Sequence, residues 1–176
     1  MYRYNFKSRI LYLLVGILVF IIFFTIGTFV TFDESTSQLL KEQFQNKIKN
    51  IDSMGIFLNN FLISILMFVP AIGIAFGLFS GFSTGNIFVI LTRDLPIQIP
   101  PLFVFLTIFG IMELGSYGIA ISRSYLILIS TLKRTNIKEN LIYTGIEIGI
   151  VAIILFFSAT IEWNLIKQSG GIDLVE

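Results

Sequence analysis

From Ile10 to Phe32 the chain runs for 23 residues without a charged side chain, and this run limits the possible folds more than any other feature. A hydrocarbon layer about 30 Å thick is crossed by about 20 helical residues rising 1.5 Å each. Inside lipid every backbone N–H and C=O needs a partner from the protein itself, so such a run crosses as a helix. A secretory signal has a shorter apolar region of about 7–15 residues followed by a small-residue cleavage pattern. No such pattern precedes Asp33. The run is read as a retained first span, with Arg3, Lys7 and Arg9 on the cytoplasmic side.

Three more apolar stretches follow. Residues 55–92 contain Asn59, Asn60 and Pro70, and then Gly73, Gly77, Gly81 and Gly85 at intervals of four. Glycine at every fourth position gives a helix one smooth face that a neighbour can approach closely. The segment Gly-Phe-Ser-Thr-Gly-Asn over 81–86 predicts a break, because paired glycines and small polar residues favour turns. Arg93, Asp94 and the proline-rich run to Pro101 form a linker that cannot be regular helix. Further spans are read over 102–130 and 141–162, separated by Lys133, Arg134 and Lys138, and Trp163 suits an interfacial anchor.

Four crossings would put Lys133, Arg134 and Lys138 outside, whereas five return them to the side of the N-terminus, as the positive-inside tendency favours. The chain is therefore read as one integral membrane domain over 1–176, an all-α polytopic bundle of four to five spans. The spans are placed at about 10–32, 56–80, a short or re-entrant pass at 82–100, 102–130 and 141–162. A polar loop over 33–54 joins the first two. Leu40, Phe44, Ile48 and Ile51 lie at spacings of four, four and three in it, which predicts a short amphipathic interfacial helix. Ser35 or Ser37 is positioned to cap that helix.

Composition narrows the chemistry. Only 13% of residues are charged, against roughly one quarter in soluble domains, and the net charge is +1. That balance argues against a nucleic-acid partner, which needs clustered Lys and Arg. With neither Cys nor His, the thiolate and imidazole ligands, nucleophiles and bases are missing. No catalytic set, cofactor site or metal site is expected. Charged groups at the centre of a membrane helix cost about 2.5–3.5 kcal/mol each on insertion scales, so Glu113, Arg123, Glu147 and Glu162 each need a reason to be there. Glu113 has Ser116 and Tyr117 on its own helix face, and Asn59 and Asn60 are suitable partners for it. Arg123 is ten residues further on, about 15 Å along the helix, beyond Glu113's reach. At a helix end its guanidinium is expected to snorkel to the interface.

Once these residues are placed, a pattern stands out: Asn59-Asn60 opening a glycine-rich span, Gly85-Asn86 after it, Phe-Gly-Ile-Met-Glu-Leu-Gly over 109–115, and Thr-Ile-Glu-Trp over 160–163. It resembles the stage II sporulation protein M family of multi-pass membrane proteins. That family has an asparagine opening its second span, an Asn-Gly pair, a Pro-His-Gly-x-x-Glu-Leu segment and a late Ile-Glu. The resemblance puts Glu113, Gly110, Asn59 or Asn60, and Glu162 on the family's positions. Phe109 stands where the family has histidine, and Gly85-Asn86 reverses the usual order.

The resemblance implies a small membrane subunit without assigned enzyme chemistry, which in sporulating bacteria anchors other proteins of a wall-remodelling complex. Taken together, the expectation is a non-enzymatic scaffold or accessory subunit in the cell membrane. Its partners would be lipid and other membrane subunits, or further copies of itself. The alternative is a small transporter or channel built around Asn59, Asn60 and Glu113. Asn86, Gly110, Arg123 and Glu162 complete the set of candidate residues.

Overall fold

A computed structural model describes residues 6–48, 51–93, 99–135 and 137–168. Arg3, Lys49, residues 94–98 of the proline-rich linker and the tail beyond 168 lie outside them. Among the described residues there are helices and no strands. These are α1 (Phe6–Thr28), α2 (Glu34–Ile48), α3 (Ser53–Phe68), α4 (Ile72–Thr92), a 3-10 helix (Pro101–Leu106), α5 (Ile108–Leu132) and α6 (Ile137–Gln168). α1, α4 and α6 are long and apolar enough to cross a membrane, and α3 is a shorter apolar helix.

The break expected over 81–86 is absent. α4 continues through Gly81, Gly85 and Asn86, and the chain instead reverses at Val69–Ala71. Pro70 cannot extend α3. Ala71 takes φ 63°, and the Ile72 amide reaches the Pro70 carbonyl at 2.8 Å, a strained γ-turn. Two neighbours hold the turn in place. Ser124 of α5 donates to the Val69 carbonyl at 2.6 Å, and Gly73 sits where a Cβ would come within 2.0 Å of the Met67 carbonyl oxygen. Over 82–92 the predicted short pass is therefore not a separate element, and residues 94–98 of it lie outside the described ones. Its first part is the end of α4.

The region assigned to 102–130 opens instead with the 3-10 helix, and α5 starts only where Thr107 accepts from the Gly110 amide at 3.0 Å. α2 is capped by Asp33 rather than by Ser35 or Ser37. The Asp33 carboxylate takes the Thr36 amide at 3.0 Å and the Thr36 hydroxyl at 2.7 Å, and it also bonds Ser35. A carboxylate with two acceptor oxygens serves several donors at once, which a hydroxyl cannot.

Contacts along the helices give their relative directions. Gly81 of α4 meets Phe20 and Phe24 of α1, while Gly85 meets Phe24 and Thr28, so α1 and α4 run parallel. Gly16 meets Gly118, and the Tyr12 ring lies tilted 5.7 Å from that of Tyr125, so α5 opposes α1. α5 lies at the centre, touching α1, α3, α4, α6 and the 3-10 helix, whereas α2 packs on α4.

The interior is unlike that of a soluble protein. Ser64, Ser116, Ser122, Arg123, Ser124 and Ser158 are buried, while Leu11, Leu18, Leu62, Ile146, Ile153 and Phe157 face outward. Small residues inside let helices approach closely, and large apolar residues outside suit hydrocarbon. Of the two α4 glycines that meet α1, Gly85 is the tighter, since a Cβ there would lie 2.1 Å from the Phe24 carbonyl oxygen, against 2.9 Å from that of Phe20 at Gly81. Gly77 faces Ile121 of α5.

Replacing Gly85 by Ala should drive α1 and α4 apart and destabilise the fold by about 1–3 kcal/mol, the usual range for overpacking. Gly145→Ala, where nothing lies within 4 Å, should not destabilise. Thermal unfolding in detergent checks both. Hydrogen bonds from Ser35 and Thr36 hold the Asp33 carboxyl far below its ordinary value of 3.8. Its contribution to α2 is thus complete above that value and declines on acidification below it. Protection of the α2 amides, taken relative to their intrinsic exchange rate at each pH, should fall in acid, and in Asp33→Ala should already be low at neutral pH.

Candidate functional site

α5 carries polar side chains in both of its halves, and they belong to two separate clusters. At the end shared with the start of α1, both oxygens of Glu147 are taken by guanidinium groups. Arg9 approaches from α1, with Nε 2.8 Å from Oε1 and Nη2 2.7 Å from Oε2. Arg123 approaches from α5, with Nε 2.7 Å from Oε2 and Nη2 on Oε1. Arg9 also donates to the Ser122 hydroxyl at 2.7 Å, and Arg123 to Asn140 Oδ1 at 3.4 Å. Asn140 in turn donates to Ser130 at 2.8 Å. One carboxylate thereby fastens α1, α5 and α6 together.

Arg123 does not snorkel. Its side chain is fully buried, because Glu147 is near enough to replace water with two charge-assisted bonds. Of the residues that sequence reasoning left out of the candidate set, Arg9 and Glu147 matter most. Arg9 reads as an interfacial flank, and spacing along a single helix gives no sign that it pairs with a residue 138 positions away.

The second cluster lies between the end of α2, the middle of α3 and the first half of α5. Asn60 of α3 donates to Glu113 Oε1 of α5 at 2.6 Å. Asn59 Nδ2 donates to Asn60 Oδ1 at 3.2 Å, and Lys47 of α2 donates to Asn59 Oδ1 at 3.1 Å. Glu162 of α6 stands within electrostatic reach of Glu113. The antiparallel helices α5 and α6 account for this. The Ser158 hydroxyl meets the Phe109 carbonyl at 3.2 Å, and side chains lean toward their own helix N-terminus, so Glu113 and Glu162, each four residues further along, lean toward one another. Tyr117, one turn from Glu113, places its ring 5.2 Å from that of Phe20.

Gly110 is buried under the 3-10 helix, where a Cβ would lie 2.1 Å from the Val104 carbonyl oxygen. Asn86 is buried on α4, its Oδ1 without a hydrogen-bond partner, and no contact brings it to Glu113. The structure thus joins Asn59, Asn60 and Glu113 by hydrogen bonds, with Glu162 within electrostatic reach of Glu113, and it leaves Arg123 and Asn86 elsewhere. Among the described residues no group of three or more Asp and Glu side chains is arranged to hold a metal ion. No family model, curated protein or solved structure matches the chain.

Removing one partner from a buried ion pair typically costs about 3–5 kcal/mol, since the charge left behind is unpaired. Glu147→Ala leaves two such charges, Arg9 and Arg123, and should reach the upper part of that range. Arg9→Ala should cost clearly less, because Arg123 remains on Glu147. Unfolding of the two variants in the same detergent tests this order. Equal losses would mean that Glu147 does not bridge three helices.

Proposed function

We propose that this chain is a non-enzymatic integral membrane scaffold, an accessory subunit that holds other membrane proteins in the cell membrane. The observation that carries the reading is the use made of its interior polar groups. Glu147, Arg9, Arg123, Ser122, Ser124 and Ser158 all bond to a neighbouring helix, which suits a part whose role is to keep a fixed shape.

The proposed topology has five crossings, formed by α1, α3, α4, α5 and α6, with α2 on the outer surface. The alternation of helix directions supports this, as does the gathering of Lys7, Arg9, Lys133, Arg134 and Lys138 at one end, taken as cytoplasmic. At 16 residues, α3 spans only about 24 Å, so a locally thinned bilayer is part of the proposal. A place among sporulation protein M-like subunits accords with the bond from Asn60 to Glu113 and with Glu162 lying within electrostatic reach of Glu113. These are residues on which the resemblance rests, and they come from three different helices.

A small transporter is the second reading, favoured by one observation, two carboxylates, Glu113 and Glu162, within electrostatic reach of one another in an apolar bundle. Native mass spectrometry of the particle extracted from its own membrane in mild detergent separates the two. The scaffold reading expects foreign subunits at fixed stoichiometry. A partner-free particle whose reconstituted vesicles show a flux that Glu113→Gln abolishes, with assembly intact, would overturn it.

A further inference from the structure

α1 and α6 both flank α5 but do not pack on each other, so one face of α5 stays open between them. Ile111, Gly115, Ile119 and Ser122 follow at spacings of four, four and three, which places them on a single helix face. Ile111 is 57% exposed, and nothing lies within 4 Å of where a Cβ on Gly115 would stand. The result is a furrow with an apolar floor. Arg9 bridges its cytoplasmic end, reaching from α1 to the Ile119 carbonyl at 3.3 Å, to the Ser122 hydroxyl at 2.7 Å and to Glu147 on α6. Ser122 and Ile111 are 11 positions apart, about 16 Å along the helix. That is roughly the hydrocarbon depth of one leaflet, half of about 30 Å.

The bridge is not electrically balanced. Two guanidinium groups, Arg9 and Arg123, share the one carboxylate of Glu147, which leaves a positive charge over. Glu139, the other acidic residue in this half of α6, is eight positions away, about 12 Å along the helix. The Arg9 side chain stays 13% exposed. Of its five N–H groups, one on Nη1 has no acceptor among the described residues. We propose that the furrow holds one anionic phospholipid of the cytoplasmic leaflet, with its phosphate on Arg9 and one acyl chain along Ile119, Gly115 and Ile111. A phosphate supplies both the missing negative charge and an acceptor oxygen at the depth where headgroups lie. A second copy of this chain in the same orientation supplies neither, because it brings Lys7, Arg9, Lys133, Arg134 and Lys138 to that level. The leaflet and the depth rest on the five-crossing topology proposed above, whereas the scaffold role does not enter.

The test uses the purified full chain, freed of lipid in mild detergent and mixed with phosphatidylglycerol or with phosphatidylcholine carrying the same acyl chains. Native mass spectrometry counts the lipid retained. One phosphatidylglycerol per chain is expected, bound about five-fold tighter than phosphatidylcholine, the effect of one arginine beside an anionic headgroup. Gly115→Phe fills the furrow about 10 Å along α5 from Ser122. It should abolish the preference while unfolding in lipid-free detergent stays unchanged. Gly149→Phe, on α6 where a Cβ also meets nothing within 4 Å, should bind lipid as the parent does. Arg9→Gln should lose the preference as well, and if that variant fails to fold, Gly115→Phe decides alone. Equal retention of the two lipids, or a preference that survives Gly115→Phe, would overturn the proposal. Two other results would also defeat it: inorganic phosphate displacing phosphatidylglycerol, which makes the site one for a free anion, and a dimer that Gly115→Phe splits, which gives the furrow to a second copy. Lipids and foreign subunits differ widely in mass, so failure here leaves the scaffold reading standing, and the reverse holds too.

Discussion

Both oxygens of Glu147 meet guanidinium groups, one from the first helix and one from the fifth, and much of the architecture follows from that fork. In a low-dielectric interior a lone carboxylate or guanidinium carries a heavy desolvation penalty, which a planar bidentate pairing offsets with both charge and directional bonds. Because three helices each supply one group, none of the three can rotate or slide without exposing a charge. The fork therefore sets register as well as adhesion. Ser122, bonded to Arg9 from the α5 side, adds a further constraint on the angle at which α1 arrives.

α5 acts as the spine on which this order is distributed. Ten residues, about 15 Å of helix, separate Glu113 from Arg123, so one helix engages α1 and α6 through Arg123's cluster and α3 through Glu113. Between the two ends the packing depends on shape. Gly118 admits Ile17, Gly16 comes up against the Gly118 carbonyl, and Gly77 receives Ile121. The result is a bundle with polar fastening near its ends and close backbone approach between, surrounded by large apolar side chains facing outward.

Several local features illustrate how much of this a linear reading can reach. Glycine at every fourth position of α4 marks a packing face, and the four glycines 73, 77, 81 and 85 are indeed all buried. The same glycines mislead about continuity. Their turn propensity is outweighed because α1 packs along that face and keeps 81–86 helical, while the reversal falls at Pro70, where the missing amide and fixed φ leave no helical option. At α2 the cap falls to Asp33 rather than to either serine, a choice among neighbouring polar residues that depends on the exact angle at which the chain leaves α1.

The candidate residues divide in the same way. Asn60 and Glu113 belong to different helices and are 53 positions apart. Their residue types mark each as anomalous in an apolar run, but only the packing of α3 on α5 makes them partners. Arg123 reads as a side chain bound for the interface, because its neighbour Glu147 lies on another helix and the pairing cannot be seen along one axis. Arg9 is hidden for the same reason.

By itself the sequence determined the class of solution. Long uncharged runs require helices, since hydrocarbon offers no hydrogen bonds to an open backbone. The absence of Cys and His removes whole branches of chemistry, and the placement of glycine and proline limits where helices pack and turn. Tertiary structure decided which polar groups meet. That Glu147 collects two arginines, that Glu113 is reached from Lys47 through two asparagines, and that Asn86 stays apart are consequences of helix directions and rotations. These are set by the summed contacts of five helices around α5, a many-body quantity that no short stretch of sequence contains.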